Sequence, residues 1–495
     1  MKLALFSDLH FSATCPRSDR HGQFADIFLT RLVRRLNRFI RPDATLIMGD
    51  LLDDPNAPDA GERLQALRRI LDTLTMPWLA LPGNHDPAPE RFYSCLPDPR
   101  PWVDISGVRL VPFFDEDRPG FNGFRPPHEQ ARLAAARANF GGPLVCLQHM
   151  SLHVPDRLDC PYNLTNAPEV LADMARHSVT LCVSGHHHEG ALDLDAPVPL
   201  VILPALCKTP LSFLTVDINA RHPPTVTRHS LSVPPEYRLV DYHVHSPLAY
   251  CSENMDCGKA VELAHLFGLG GMAFTEHTSH LYLRRTDLKF SLYQTVPFDA
   301  MPAEKIADRA GDYWHLIDPL RSDFVRTGLE ADLMFDGRPF VRTSDWQKAD
   351  IRIGAIHQLP SLTNQGVGNC EKIEDEYLAV VKGLAGSGMR ILAHPFRIFR
   401  RGLKVEPPAR LFEPVCRLLK AHGIAAEINF HANEPSAEFV ALCLKEGVKL
   451  TLGSDSHNLC EVGDFQASLD LLSSLGVTGD PSDVLNQQPP AAGGC

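Results

Sequence analysis

The sequence predicts an α/β protein in two successive parts. A sandwich of two β-sheets flanked by helices is expected over residues 1–232, and a barrel of seven strand-helix repeats over 238–480. Three observations carry this reading. Short apolar runs alternate with helical patterns, nearly every run ends in Asp, Asn, Glu or His, and a proline-rich stretch interrupts the alternation once. That stretch contains Arg221-His222-Pro223-Pro224 and Val233-Pro234-Pro235-Glu236, and proline pairs disfavour both helix and central strand. The boundary is therefore set near 233–237. At 495 residues the chain is also too long for one ordinary core.

The first part opens on an apolar strand, Lys2 to Ser7, that ends in Asp8-Leu9-His10. An amphipathic helix follows, with Phe24, Ile27, Phe28, Leu32, Leu36 and Phe39 opposite Arg31, Arg34, Arg35, Arg38 and Arg41. Its arginines read as a solvated face. Strand Thr45–Met48 ends in Gly49-Asp50, and a helix spans about 61–74. Strand Pro77–Leu81 ends in Pro82-Gly83-Asn84-His85-Asp86, and Leu144–Gln148 ends in His149. The run Val179–Val183 ends in Gly185-His186-His187-His188-Glu189, and three successive imidazoles are hard to explain as core packing. Alternation along an extended chain puts Asp8 with His10, and His186 with His188, on one side, leaving His187 on the other. Val198–Leu203 and Leu211–Asp217 read as strands of a second sheet. Sites in open α/β sheets form outside the carboxyl ends of strands, so these endpoints are expected to meet in one crevice.

This ordered set resembles the calcineurin-like metallophosphoesterase family over roughly residues 1–217. The stretch Asn163–Leu171 is similar to its small cyclic-nucleotide-phosphodiesterase-like members. The resemblance implies that Asp8, His10 and His188 hold one metal, that Asn84, His149 and His186 hold another, and that Asp50 bridges them. His85 would lie just outside the metals as general acid. A shared carboxylate can hold two divalent ions roughly 3.5–4 Å apart, where they activate a bridging water and clamp a phosphoryl group. Mixed nitrogen and oxygen donors suit Mn, Fe or Zn. His153 reads as a surface residue or a neighbour of the ligands.

Seven apolar segments then alternate with helical patterns: 238–242, 271–275, 325–329, 351–356, 389–393, 425–429 and 448–453. Their ends supply His243 and His245, Glu276 and His277, Glu330, His357, His394, and Asp455 with His457. Repeated strand-helix units make a parallel sheet, and its closure puts a site at the strand carboxyl ends. This half resembles the PHP family, the polymerase and histidinol phosphatase domain, over residues 238 to about 475. The carrying motifs are Thr275-Glu276-His277, Gly328-Leu329-Glu330, Ala393-His394-Pro395 and Gly453-Ser454-Asp455-Ser456-His457. The resemblance implies a distorted seven-stranded barrel with two or three metals, Zn, Mn or Fe. His243, His245, Glu330 and Asp455 would take the first, Glu330, His357 and His394 the second, and His277 with His457 the third. Where that family has a third histidine, six residues after the His-x-His pair, this chain has Cys251, either a ligand or an unbound thiol. Arg397 is a candidate for gripping phosphate, with a surface arginine as the alternative. Glu276 could orient His277.

A net charge of -12 argues against sequence-independent binding to duplex nucleic acid, which depends on many basic contacts to phosphates. No apolar run approaches the roughly 18 residues of a membrane span. The first residues lack the apolar core of a signal peptide, and the 13 scattered cysteines read as reduced thiols. A cytoplasmic location is expected. The tail 481–495 is expected to be disordered. These readings converge on a metal-dependent phosphoesterase with two sites that acts on a small, nucleotide-like phosphorylated substrate. The first site would open a diester, cyclic nucleotides and cyclic phosphates included, and the second would remove the resulting monoester. A single-strand nuclease, or one catalytic domain regulated by the other, are the competing readings.

Overall fold

A computed structural model describes residues 1–14, 19–219, 222–289, 291–362, 370–432 and 435–486. The chain divides into two compact units, Met1–Ser232 and Val233–Cys495.

The first unit contains β1 (Lys2–Phe6), β2 (Ala44–Met48), β3 (Trp78–Leu81), β4 (Val103–Ile105), β5 (Val108–Pro112), β6 (Glu116–Arg118), β7 (Asn122–Phe124), β8 (Leu144–Leu147), β9 (Leu181–Ser184), β10 (Ala191–Asp193), β11 (Leu200–Ile202), β12 (Ser212–Asn219) and β13 (His222–Ser230). They form one sheet of order β13-β12-β1-β2-β3, a second of order β10-β11-β9-β8-β5-β4, and the hairpin β6-β7. The period of two decides the core. Leu3, Leu5, Leu46, Met48, Leu79 and Leu81 from the first sheet cluster with Leu110, Val145, Leu147, Leu181, Val183 and Val201 from the second.

Three expectations change here. The segment 211–217, read with 198–203 as strands of a second sheet, lies as β12 in the first sheet, antiparallel to β1, while β11 pairs with β9 in the other. The first proline pair lies inside β13, which pairs antiparallel with β12 (Val216 opposite Val226). β13 is an edge strand, and its register with β12 shifts opposite the pair, between Asp217 and Asn219, so the missing N–H groups fall at an irregularity and not in the regular ladder. The basic stripe is not wholly solvated either, because Arg31 and Arg35 are buried. Arg35 donates to the carbonyls of Ser230 and Leu231 at the end of β13.

The second unit contains β14 (Val240–Val244), β15 (Gly271–His277), β16 (Val325–Asp332), β17 (Ile351–Ala355), β18 (Ile391–Leu392), β19 (Ala425–Ile428) and β20 (Leu450–Leu452). They lie in chain order in one sheet, all pairs parallel. Past the last strand, Asp455 N–H donates to His243 O at 2.7 Å and His245 N–H donates to Ser456 O at 3.1 Å. The sheet is thus a nearly closed parallel barrel. Part of the expected disordered tail is ordered: Leu450 N–H donates to Val484 O at 3.1 Å and Asn486 N–H to Leu450 O at 2.7 Å, with Leu485 buried. Residues 487–495 of that tail lie outside the described residues. No described helix is long and apolar enough to cross a membrane.

Candidate metal centres

In the first unit the named residues converge beyond the carboxyl ends of β1, β2, β3, β8 and β9. Among the overlapping groups able to hold a cation are Asp8, His10 and His188; His10, Asp50 and His85; and Asp50, His149 and His186. His10 Nε2 and His188 Nε2 are 3.2 Å apart, and His188 Nε2 is 3.3 Å from Asp8 Oδ1. Asp50 reaches both sides, with Oδ2 3.6 Å from His10 Nε2 and Oδ1 3.4 Å from His149 Nε2. Asn84 Oδ1 is 3.0 Å from His149 Nε2. His186 Nε2 is engaged by Phe121 O at 2.9 Å, which leaves Nδ1 to face the group.

The means of convergence differs from strand alternation. β1 ends at Phe6 and β9 at Ser184. Asp8, His10, Asp50 and His186 all have left-handed backbone, with φ of 58°, 47°, 52° and 70°. That conformation is costly for residues bearing a Cβ and persists where the surroundings over-determine it. It also sends His186 and His188 to different groups. Gly83 lets β3 approach, since a Cβ there would lie 2.2 Å from Asp50 Oδ1. His85 N–H donates to Asp50 Oδ1 at 2.8 Å, and His85 Nδ1 is 2.7 Å from Asp53 O. Its Nε2 is left for the centre.

The barrel gathers a second set. His243 Nε2 is 3.4 Å from Glu330 Oε2 and 3.6 Å from Asp455 Oδ1, while His245 Nε2 is 2.9 Å from Asp455 Oδ1. Glu330 Oε1 lies 3.1 Å from His394 Nε2 and 3.6 Å from His357 Nε2. His277 groups with His245 and His457, and separately with Cys251 and His280. His394 and Asp455 again have positive φ, 30° and 54°. Arg397 is buried, which removes the surface alternative. It donates to Asn429 Oδ1 at 2.9 Å and pairs with Asp455. It lines a cavity with His277, His357, His457 and Cys251, and its Nε has no hydrogen-bond partner among the described residues.

Burial lowers the basicity of His10 and His149, but carboxylates outweigh it. Asp53, Asp8 and Asp50 raise His10 to about 9, and Asp50 and Asp8 raise His149 to about 10. Burial likewise opposes, but histidines hold Asp8 and Glu330 well below the usual range, and Arg397, followed by His243 and His245, does the same for the Asp455 carboxyl. Burial followed by the charge of His149 lowers His186 to about 4. The metal-free chain thus stores protons between anionic groups, where a divalent cation would displace them. Asp8 Oδ1, His243 Nε2, Glu330 Oε2 and His457 Nε2 are buried with no hydrogen-bond partner among the described residues, although His277 Nδ1 lies 2.5 Å from Glu330 Oε2. Donors this near, yet not aimed at one another, fit a shared cation.

Sequence reasoning missed the groups that hold these imidazoles. Glu427 Oε1 is 2.7 Å from His243 Nδ1, and Asp332 Oδ1 is 2.7 Å from His357 Nδ1. Glu276 orients His245, at 3.1 Å, rather than His277 through its ring. Asp53 Oδ1 is 3.3 Å from His10 Nδ1. Asp86 accepts from Leu51, Leu52 and Gly83 N–H at 3.1, 2.9 and 3.0 Å, tying the loop of Asp50 to that of Asn84. A lone carboxylate inside an apolar strand, as in Ala425-Ala426-Glu427-Ile428, is the signal that could have found Glu427. His153 is buried, not a surface residue.

Residues 1–190 match the family model for calcineurin-like phosphoesterases, so the first unit carries a domain of that family. Among curated proteins, the chain is 28% identical over 230 residues to the DNA double-strand break repair protein Mre11 of Aeropyrum pernix, covering 40% of this chain and 53% of that one. It is 27% identical over 224 residues to the glycerophosphodiester phosphodiesterase GpdQ of Enterobacter lignolyticus, covering 41% of this chain and 77% of that one. The chain therefore spans about half the length of the Mre11 relative. A dimetal phosphatase structure from Danio rerio superposes with a TM-score of 0.40 at 16% identity, over 46% of this chain and 99% of that one.

Proposed function

We propose that the chain is a metal-dependent phosphoesterase with two hydrolytic centres, the first a phosphodiesterase and the second, PHP-type, a histidinol-phosphatase-like phosphomonoesterase. The observation that carries this is the placing of Asp50 between two donor groups, with the barrel's Glu330 in the same position between its own. The cations we assign are Mn, Fe or Zn, two in the first unit and two or three in the barrel. When bound, they supply Lewis acidity and a water nucleophile.

The chain's own residues do the rest. Asp53 O holds His85 Nδ1, so Nε2 is the atom that delivers a proton to the leaving oxygen. Phe121, Tyr162 and His187 line the cavity over the first centre and would surround the ester groups. In the barrel, Arg397 Nε–H is available to an oxygen of a terminal phosphate, while its pairing with Asp455 fixes the guanidinium. Joining the two centres suits sequential action: the first releases a monoester that the second dephosphorylates.

With a diester as substrate, the unmodified enzyme should release free phosphate, followed by phosphorus NMR. Asp455→Asn should stop at the monoester, and Asp50→Asn should leave the diester intact but still cleave added monoester. Phosphate release by Asp455→Asn as fast as by the unmodified enzyme would end the relay idea. The likeness to Mre11 favours a second reading, in which the first centre cuts single-stranded nucleic acid. A labelled oligonucleotide in the same assay separates the two.

A further inference from the structure

Phe121 is 64% exposed, more than any other large apolar side chain among the described residues, and its backbone is left-handed, with φ of 60°. Both are unfavourable for a bulky apolar residue, so its surroundings must hold it there. It lies in the turn after Arg118, which pairs with Asn122 across the β6-β7 hairpin. Asn122 Nδ2 donates to Pro119 O at 3.1 Å, and its Oδ1 accepts from Asn163 N–H at 3.0 Å. Gly123 N–H donates to Asn163 O at 3.0 Å, and Thr165 N–H to Gly123 O at 2.7 Å. The turn is thus stitched to the loop that carries Tyr162. The Phe121 and Tyr162 rings stand 5.9 Å apart with their planes at 71°, and Tyr162 lies 5.2 Å from the His186 ring. Phe121 O engages His186 Nε2 at 2.9 Å, so one residue fixes both an exposed ring and a donor of the first centre. Both rings line the cavity that Asp50, Asn84, His85 and His186 also line. The apolar side chains of that cavity are confined to Phe121, Pro161 and Tyr162; elsewhere it carries ion pairs such as Lys208 Nζ with Asp19 Oδ2 at 3.0 Å.

We propose that Phe121 and Tyr162 form an aromatic corner that determines specificity at the first centre, favouring phosphodiesters with a flat ring on one ester arm over wholly aliphatic ones. This rests on the reading of the first centre as a phosphodiesterase. Two rings set steeply to one another offer a planar group one face for offset stacking and one edge for a T-shaped contact. Covering them removes from water the apolar surface that the hairpin holds exposed. Every nucleobase has a π-face, so the corner selects flatness and not base identity.

The test uses the full, metal-loaded chain and two diesters with the same leaving group, the methyl esters of adenylate and of glycerol phosphate. Glycine suits left-handed backbone, so Phe121→Gly keeps the turn and the carbonyl that engages His186 while removing the ring. It should lower kcat/KM for the adenylate ester by about 10–100-fold, mainly through KM. The glycerol ester and the metal content should change little, and Phe121→Tyr should keep the discrimination. Equal losses for the two esters, or no loss for either, overturn the proposal. Isothermal titration gives a readout apart from turnover: Phe121→Gly and Tyr162→Leu should bind adenylate more weakly than the unmodified chain does, and glycerol phosphate equally. Both substitutions lie in the first unit, so any adenylate held by the barrel cancels in the comparison. If neither ester is cleaved but adenylate binding still falls, the corner stands and the phosphodiesterase reading fails. If both esters are cleaved and adenylate binding is unchanged, the corner fails and that reading stands.

Discussion

Asp50→Asn removes the carboxylate that stands in both the His10 group and the His149 group of the first centre. Its oxygens lie 3.6 Å from His10 Nε2 and 3.4 Å from His149 Nε2. Asparagine keeps the volume and one acceptor for the His85 N–H, so the loop should hold and the loss should be one negative charge. A unit charge about 4 Å from a cationic partner is worth about 4 kcal/mol at an effective dielectric of 20. At 1.4 kcal/mol per tenfold, that is roughly three powers of ten in affinity on each side. After dialysis against micromolar metal, elemental analysis should find the first centre depleted while the barrel keeps its cations. Hydrolysis of bis(p-nitrophenyl) phosphate should vanish, and hydrolysis of a phosphomonoester by the barrel should not. A variant that kept two cations in the first centre and near-normal diester turnover would show that Asp50 is a structural acid and that the shared-carboxylate reasoning is wrong.

His85→Ala should leave metal content unchanged and lower diester turnover by about 10²–10⁴-fold, with a smaller loss for nitrophenyl esters, whose leaving groups need no proton; equal losses would recast His85 as a binding residue. Glu427→Gln should weaken barrel metal affinity by roughly 10–100-fold, as expected when a carboxylate that orients a ligand imidazole is lost, and isothermal titration checks it. The pH response follows from His10 and His149, which sit at about 9 and 10 against an ordinary 6.5 in the metal-free chain. Because both are raised, their ion pairs stabilise fully below pH 6.5, and that contribution is lost as pH rises through 9 to 10. A chelator-treated chain should unfold at falling temperature across that window by calorimetry, while the metal-loaded chain should hold its midpoint; a chelated midpoint that rises with pH contradicts this.

The order of donors along the chain was legible because each follows a short apolar run, and an apolar run ending in His or Asp has few explanations. Asp8, His10, Asp50, Asn84, His85, His149, His186 and His188 could all be named that way, and so could the barrel set from His243 to His457. Strands β4 and β5 escaped notice because they are short and Arg109 and Pro112 blur their pattern. Asp53, Asp86, Asp332 and Glu427 escaped as orienting groups because nothing local distinguishes an acid that holds an imidazole from one that faces water.

By itself the sequence determined the donor chemistry, the strand-end positions of the donors and the two-part organisation of the α/β chain. Which candidate donors come to lie together does not follow from alternation along a strand; the tertiary structure shows it. His186 and His188 are two residues apart, yet they serve different groups, because His186 takes a left-handed turn (φ 70°) that breaks the alternation an extended chain would impose. Grouping depends on such turns and on register between strands far apart in sequence, as where Asp455 comes beside His245 across the barrel's closing seam. Periodicity records which face a residue takes along its own strand; it holds no information about the neighbour that another strand delivers.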